Sequence, residues 1–255
     1  MLGSGRPLVA LHGFGVDHRI MLPLADAVRD LPWRLVFLDL PWAEAAAKTS
    51  TATSAVEVAD GVLAELDDHL GDEPFAVIGN SFGGMIARHV AHERRDRALG
   101  VATLAGVVHP AHADRAVPER TVMHIEPSVL EAAGDAREAF EEASVIQDAA
   151  AFTAFTRYVL PGLRGADAAV MDRIAADYAL EAMPEERHPE PFTAPALHLS
   201  GRQDNVVGYE DGLGLRDHYP RGSFVVLDAA GHNVHLEQPE VTMALVRDWL
   251  ARIDR

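Results

Sequence analysis

The sequence predicts an α/β fold in which a mostly parallel sheet carries helices on both faces. Short apolar runs alternate with segments whose apolar residues recur at helical spacing. Continuous apolar runs are typical of strands buried on both faces, as in a parallel sheet. The alternation stops over residues 109–191, where acid-rich helical patterns take over, and then resumes. We therefore expect residues 1–108 and 192–255 to form one core, with residues 109–191 inserted as a helical cap.

Composition limits the partners that the chain can have. The 255-residue chain has a formal net charge of −17 at pH 7, which disfavours binding to nucleic acid and to anionic membrane surfaces. We find no apolar run near the ~18 residues of a membrane span and no secretory signal pattern. The absence of cysteine excludes disulfides and thiolate catalysis and fits a cytoplasmic location. A small-molecule substrate is expected, and a homodimer is allowed.

The first elements can be placed from apolar runs and capping signals. Strands are predicted at residues 8–11 and 35–38, with a helix between them. Ser54 followed three residues later by Glu57 predicts a capping box at the start of a helix that ends at Gly71.

The remaining elements follow the same alternation on either side of the insertion. Strands are predicted at residues 75–78, 99–104, 196–199 and 224–227, and helices at residues 82–90, 127–142, 148–159, 166–181 and 208–218. Pro239 opens the last helix, because proline is favoured at the first helical position. Its inward face is predicted to carry Val241, Leu245, Trp249 and Ile253.

The motif Gly79-Asn80-Ser81-Phe82-Gly83 lies where a predicted strand turns directly into a predicted helix. This G-x-S-x-G spacing is that of a nucleophile elbow, in which the serine takes a strained backbone conformation. Glycine on either side lets neighbouring backbone approach without a Cβ clash. The pattern predicts that Ser81 projects from the carboxyl edge of the sheet as a nucleophile. The alternative is a tight packing turn with an incidental serine.

The glycine-rich loop of residues 12–15 follows the first strand. Such a turn can aim a backbone N–H into the crevice at the carboxyl ends of the strands. The amides of Phe14 and Phe82 would then form an oxyanion hole.

Two further loops carry an acid and a base. Asp204 follows the strand at residues 196–199, and His232 follows the strand at residues 224–227. Either residue alone would be interpreted as an ordinary loop residue. Together with Ser81 they give the chain order Ser, Asp, His, each after its own strand, which is the order of an α/β-hydrolase triad.

These motifs resemble those of the α/β-hydrolase fold superfamily over nearly the whole chain. The matching segments are residues 11–15, 79–84, 201–204 and 231–239. The resemblance implies an α/β-hydrolase fold, a helical cap at residues 109–191, and the catalytic residues Ser81, Asp204 and His232. Two departures are visible: two antiparallel strands usual at the start of the family are not evident, and the loop after Asp39 lacks the family's glycines.

The expected chemistry is hydrolysis of a carboxylic ester through an acyl-enzyme on Ser81, with thioesters and lactones as equally suitable substrates. The elbow also resembles that of hydrolases that cleave C–C bonds of ring-cleavage products. Those enzymes usually carry Trp after the catalytic His, where this chain has Asn233. A third alternative is a catalytically idle binding protein that reuses the fold.

Several other side chains could contact a substrate or a metal ion. Trp42 and His235 are candidates for substrate binding, although packing is the favoured role for Trp42 and a structural hydrogen bond for His235. His89 with His92, and His109 with His112, have H-x-x-H spacing but lack the third ligand of a zinc site. We therefore expect no metal and no cofactor.

Overall fold

The computed structural model describes all residues, 1–255, and has a seven-stranded sheet at its centre. The strand order is β1-β3-β2-β4-β5-β8-β9, and every pairing is parallel except that of β1 with β3. The strands are β1 Leu2–Gly3, β2 Arg6–Leu11, β3 Trp33–Leu38, β4 Phe75–Asn80, β5 Ala98–Leu104, β8 Ala196–Gly201 and β9 Gly222–Leu227. The predicted parallel sheet is confirmed.

Helices cover both faces of this sheet. In the core they are α1 Leu24–Val28, α2 Glu44–Ala47, α3 Ala55–Leu70, α4 Phe82–Glu93, α11 Glu210–Gly214, α12 Val234–Glu237 and α13 Pro239–Ile253. Successive strand residues point to opposite faces, so Val9 and Val77 join one apolar cluster while Leu8 and Ile78 join the other. The two clusters hold the sheet between its helical layers.

The ends of the predicted helices agree with the structure in part. Ser54 caps α3 as predicted, since its hydroxyl accepts from the Glu57 amide at 3.1 Å. The Glu57 carboxylate accepts from the Thr53 amide at 2.7 Å rather than from Ser54, so the capping box is incomplete. The helix ends at Gly71, whose φ of 54° is a conformation that glycine adopts at low cost.

The inward face of α13 differs from the prediction. Val241 is 45% exposed, whereas Thr242, Val246, Trp249 and Leu250 are buried. Leu245 and Ile253 are half-buried. The buried stripe is therefore rotated by one residue from the predicted one at the start of the helix, because Thr242 takes the inward position that hydropathy assigned to Val241.

Residues between β5 and β8 form six helices and a two-stranded pair. The helices are α5 Pro127–Ala132, α6 Arg137–Ala143, α7 Ala149–Tyr158, α8 Leu160–Gly165, α9 Ala168–Ala175 and α10 Pro184–Arg187, and the strands are β6 His124–Ile125 and β7 Ile146–Gln147. The single helix predicted over residues 127–142 is wrong. It is broken at Gly134, whose φ is 57°. The helix predicted over residues 166–181 is also shorter, since α9 ends at Ala175.

This inserted segment is bonded to the core at several places. The Asp167 amide donates to the Trp42 carbonyl at 2.9 Å, and the Ala55 amide donates to the Asp177 carbonyl at 2.8 Å.

No helix in the structure has both the length and the apolar character needed to cross a membrane.

A buried ion pair ties the end of the segment to α4. The Arg88 side chain is 1% exposed and lies 2.5 Å from Glu185, which also accepts a hydrogen bond from the Tyr219 hydroxyl. Burial alone would raise the pKa of Glu185, but the Arg88 charge and these hydrogen bonds lower it to about 2. Both groups are therefore charged in the neutral range, and each depends on the other for its burial.

Removal of one partner should destabilise the fold. We expect Arg88→Met to lower the free energy of unfolding by about 3–5 kcal/mol, because Glu185 would be left as an uncompensated buried charge. The matched control is Arg137→Met, which removes an exposed i,i+4 pair with Glu141 and should cost less than about 1 kcal/mol. Urea denaturation at neutral pH measures both. Equal losses in the two variants would contradict a structural role for the buried pair.

Candidate functional site

Ser81 lies between the end of β4 and the start of α4, with φ 53° and ψ −118°. A positive φ is costly for a residue with a side chain. Neighbouring backbone fixes it, because the Ser81 amide donates to the Leu104 carbonyl at 3.0 Å and its carbonyl accepts from the Val107 amide at 3.0 Å. The predicted strained turn is thus present.

The glycines beside Ser81 are required by the close approach of other backbone. A Cβ atom at Gly79 would overlap the Gly83 carbonyl, and one at Gly83 would overlap the Leu11 carbonyl. The strand β2, the strand β4 and the helix α4 therefore meet within van der Waals contact at the elbow.

Asp204 and His232 lie together. The Asp204 side chain is fully buried, and its Oδ2 is 3.0 Å from Nδ1 of His232. Its other oxygen, Oδ1, accepts from the amides of Val206 at 2.8 Å and Val207 at 3.1 Å. Beside a carboxylate, Nδ1 is assigned the proton and donates it, which leaves Nε2 as the acceptor on the imidazole.

The other pairing of the predicted triad, between Ser81 and His232, is not formed as a hydrogen bond. The Ser81 hydroxyl has no hydrogen-bond partner within 3.5 Å, and the residue is 7% exposed. Catalytic hydrogen bonds are often long until substrate binds. The structure therefore joins the acid to the base and leaves the serine hydroxyl free.

The loop after β2 lies against the elbow. A Cβ atom at Gly13 would lie 3.2 Å from the Ser81 Cβ, and Gly15 has a φ of 76°. The Phe14 amide donates to no backbone carbonyl. The Phe82 amide is the first of α4 and has no partner within the helix. Two unpaired donors thus lie in the segments that flank Ser81.

His12 holds this loop in place, a role that the sequence did not reveal. Its Nδ1 donates to the Gly13 carbonyl at 2.9 Å, and its Nε2 accepts from the Leu40 amide at 2.8 Å. Burial lowers the pKa of His12 to about 4, so the ring is neutral and can accept. His12 therefore links the loop to the segment that follows β3.

Trp42 is packed inside the protein. Its side chain is fully buried, and its Nε1 donates to the Val16 carbonyl at 2.9 Å. The ring lies 4.7 Å from Phe14 and 5.4 Å from Phe82, measured between centroids, and Tyr178 lies 5.0 Å from Phe82. These four rings form an aromatic cluster beside the loop after β2 and the start of α4. Trp42 supports the two phenylalanines and has no free surface to offer a substrate.

His235 is also buried and used structurally. Its Nε2 donates to the Ile20 carbonyl at 2.9 Å, and burial lowers its pKa to about 4. The structure therefore gives this substrate-binding candidate no access to solvent.

Glu237 fastens the loop that carries His232, a contact that the motif at residues 231–239 did not reveal. Its carboxylate accepts from the Gly231 amide at 2.6 Å and from the Val145 amide at 2.7 Å. Burial raises its pKa, against the opposing effect of these amides. The Asn233 side chain adds a bond to the Ala143 carbonyl at 3.3 Å. The loop of His232 is thereby fastened to residues 143–146 of the inserted segment.

An open cavity borders the imidazole. It has a volume of about 470 Å³, and its wall includes His232, Asn233 and residues 142–145. The paired histidines of the H-x-x-H motifs lie elsewhere, and no group of three or more His, Asp or Glu side chains is arranged to hold a metal ion.

Comparison with known proteins agrees with this architecture. The family profile described as the alpha/beta hydrolase fold matches residues 6–239. A 2-hydroxymuconate semialdehyde hydrolase of Pseudomonas sp. strain CF600 is 28% identical, and the match covers 99% of this chain and 89% of that protein. The bifunctional biotin biosynthesis protein BioHC of Cellvibrio japonicus is also 28% identical, over 95% of this chain and 47% of that protein.

Solved structures show the same fold. The alpha/beta superfamily hydrolase of Oenococcus oeni PSU-1 superposes with a TM-score of 0.92 at 24% identity, covering 100% of this chain and 95% of that one. A thermophilic esterase of Thermogutta terrifontis gives a TM-score of 0.62 at 22% identity, covering 98% of this chain and 91% of that one. With the family profile spanning most of its length, this chain belongs to the α/β-hydrolase fold family.

Proposed function

We propose that this protein is a serine hydrolase of carboxylic esters, with Ser81 as nucleophile, His232 as general base and acid, and Asp204 as the residue that orients the imidazole. The observation that carries the proposal is the hydrogen bond between the buried Asp204 carboxylate and His232, in a chain that also holds Ser81 at a strained strand-to-helix turn. A buried carboxylate that accepts two amides and a histidine is fixed in position, which is what an orienting acid requires.

The proposed reaction has two halves. Ser81 Oγ attacks the carbonyl carbon while Nε2 of His232 takes the hydroxyl proton, and the amides of Phe14 and Phe82 donate to the oxyanion. The imidazolium then gives its proton to the leaving oxygen, the C–O bond breaks, and the alcohol departs. Water then attacks the acyl carbon while His232 takes its proton. The bond between the acyl carbon and Ser81 Oγ breaks, the imidazolium returns the proton to Oγ, and the acid departs.

A second function is favoured by the named relatives. Two proteins called 2-hydroxymuconate semialdehyde hydrolase match nearly the whole chain at 28% and 26% identity. We therefore keep C–C bond hydrolysis as the alternative. A panel that includes simple esters, a lactone and a ring-cleavage product distinguishes the two, since the C–C substrate loses its conjugated absorbance on cleavage.

Substitution of the nucleophile tests the enzymatic proposal. Ser81→Ala should lower kcat for any turned-over ester by about 10⁴-fold or more, because no other hydroxyl occupies the elbow. Circular dichroism and thermal unfolding should show the fold retained. Activity that persists in the folded variant would place the nucleophile elsewhere, and an inactive wild type on every substrate of the panel would favour a binding protein.

Substitution of the acid tests the orientation of the imidazole. Asp204→Asn keeps the size of the side chain but can present an N–H to Nδ1, which favours the wrong tautomer of His232. We expect kcat to fall by about 10³–10⁴-fold with KM little changed. The matched control is Asp228→Asn, which alters an exposed acid that accepts from Gln203 at 2.8 Å and lies at the end of the neighbouring strand. Similar losses in both variants would contradict the assignment of Asp204.

A further inference from the structure

Free volume borders the proposed base, His232. On the oxyanion side lies the aromatic cluster of Phe14, Trp42, Phe82 and Tyr178, and the outer side of Tyr178 borders a separate open pocket. On the imidazole side is the cavity of about 470 Å³, which is within the range of small-molecule sites. Five of its wall residues are apolar: Ala139, Ala143, Val145, Leu163 and Val206.

Two large apolar side chains of the cavity wall are open to solvent. Leu163 is 41% exposed and Val206 is 38% exposed, and both are among the few large apolar side chains that the protein leaves open to solvent. Because both side chains also line the cavity, they are available to contact an apolar group that enters it.

The charges around the cavity balance. Its charged wall residues are Arg120 and Glu142, one of each sign. The chain as a whole carries −17, which repels anions from its surface. No excess of positive charge is therefore available at this wall to bind a phosphorylated or carboxylated group.

The position of the histidine decides which part of an ester lies here. In acyl transfer the imidazolium must reach the leaving oxygen, so the leaving group lies on the His232 side of the carbonyl carbon. We infer that the cavity beside His232 binds the leaving group, and that the preferred substrates are esters of neutral, apolar, medium-sized alcohols. This inference rests on the proposed function and adds the substrate class of the same site.

A panel with one acyl group and varied leaving groups tests the inference. For methyl, ethyl, propyl and butyl acetate, kcat/KM should rise by about two- to fourfold for each methylene, as apolar surface enters the cavity. S-octyl thioacetate should be hydrolysed with kcat/KM at least about tenfold above that of acetyl-coenzyme A. Both are acetyl thioesters, but the leaving group of the second carries the negatively charged phosphates of coenzyme A. Equal rates along the ester series, or a preference for acetyl-coenzyme A, would overturn the inference.

Cavity-filling variants locate the binding site. Ala139→Trp on α6 and, as a second variant, Leu163→Trp on α8 should reduce kcat/KM for octyl acetate at least about tenfold more than for methyl acetate. Ala169→Trp is the control, because it adds the same ring at an exposed position of α9 that does not line the cavity. Thermal unfolding checks that all three are folded.

The acyl series separates the outcomes. If Ala139→Trp and Leu163→Trp impair methyl octanoate instead of octyl acetate, the cavity binds the acyl group and the inference is wrong, while the proposed hydrolase stands. If the wild type hydrolyses no ester or thioester of the panel, the proposed function fails and the inference fails with it.

Discussion

The backbone conformation of Ser81 is the constraint on which the rest of the site depends. A positive φ at a serine is unfavourable by itself, and the surrounding structure must supply the compensation. Here the Leu104 carbonyl at the end of β5 accepts from the Ser81 amide, and the Val107 amide in the loop after β5 donates to the Ser81 carbonyl. Gly79 and Gly83 allow three elements to meet without side chains between them. The Ser81 hydroxyl consequently lies at the edge of the sheet where β2, β8 and β9 end and the loops after them begin.

The residues proposed for catalysis could be predicted from the sequence because each lies in the turn or loop that follows an apolar run. Parallel strands bring their carboxyl ends to one edge, so Asp204 and His232 could be placed together without knowledge of the loops. Their hydrogen bond is present in the structure. The supporting contacts could not be predicted, because His12 and Glu237 act through backbone amides of distant segments that leave no pattern in the sequence.

The inserted segment shows where periodicity fails. Residues 127–142 keep a helical pattern of apolar residues across Gly134, but this glycine takes a positive φ and separates two helices. The strands β6 and β7 are two residues each and pair only with one another, which is too short for any alternation to be seen. In α13, Thr242 is buried where Val241 was expected, since packing against the sheet and not hydropathy sets the rotation of the helix. The segment nonetheless contributes to the site, because Glu237 fastens residues 145–146 to the histidine loop.

The central claim is that Ser81 is activated by an imidazole held by Asp204, and covalent labelling tests it most directly. After reaction with a fluorophosphonate, peptide mapping by mass spectrometry should find a single adduct on the peptide that contains Ser81. The labelling rate should fall by about 100-fold or more in a folded His232→Ala variant, because the general base is lost. An adduct on another residue, or a rate unchanged by His232→Ala, would contradict the account.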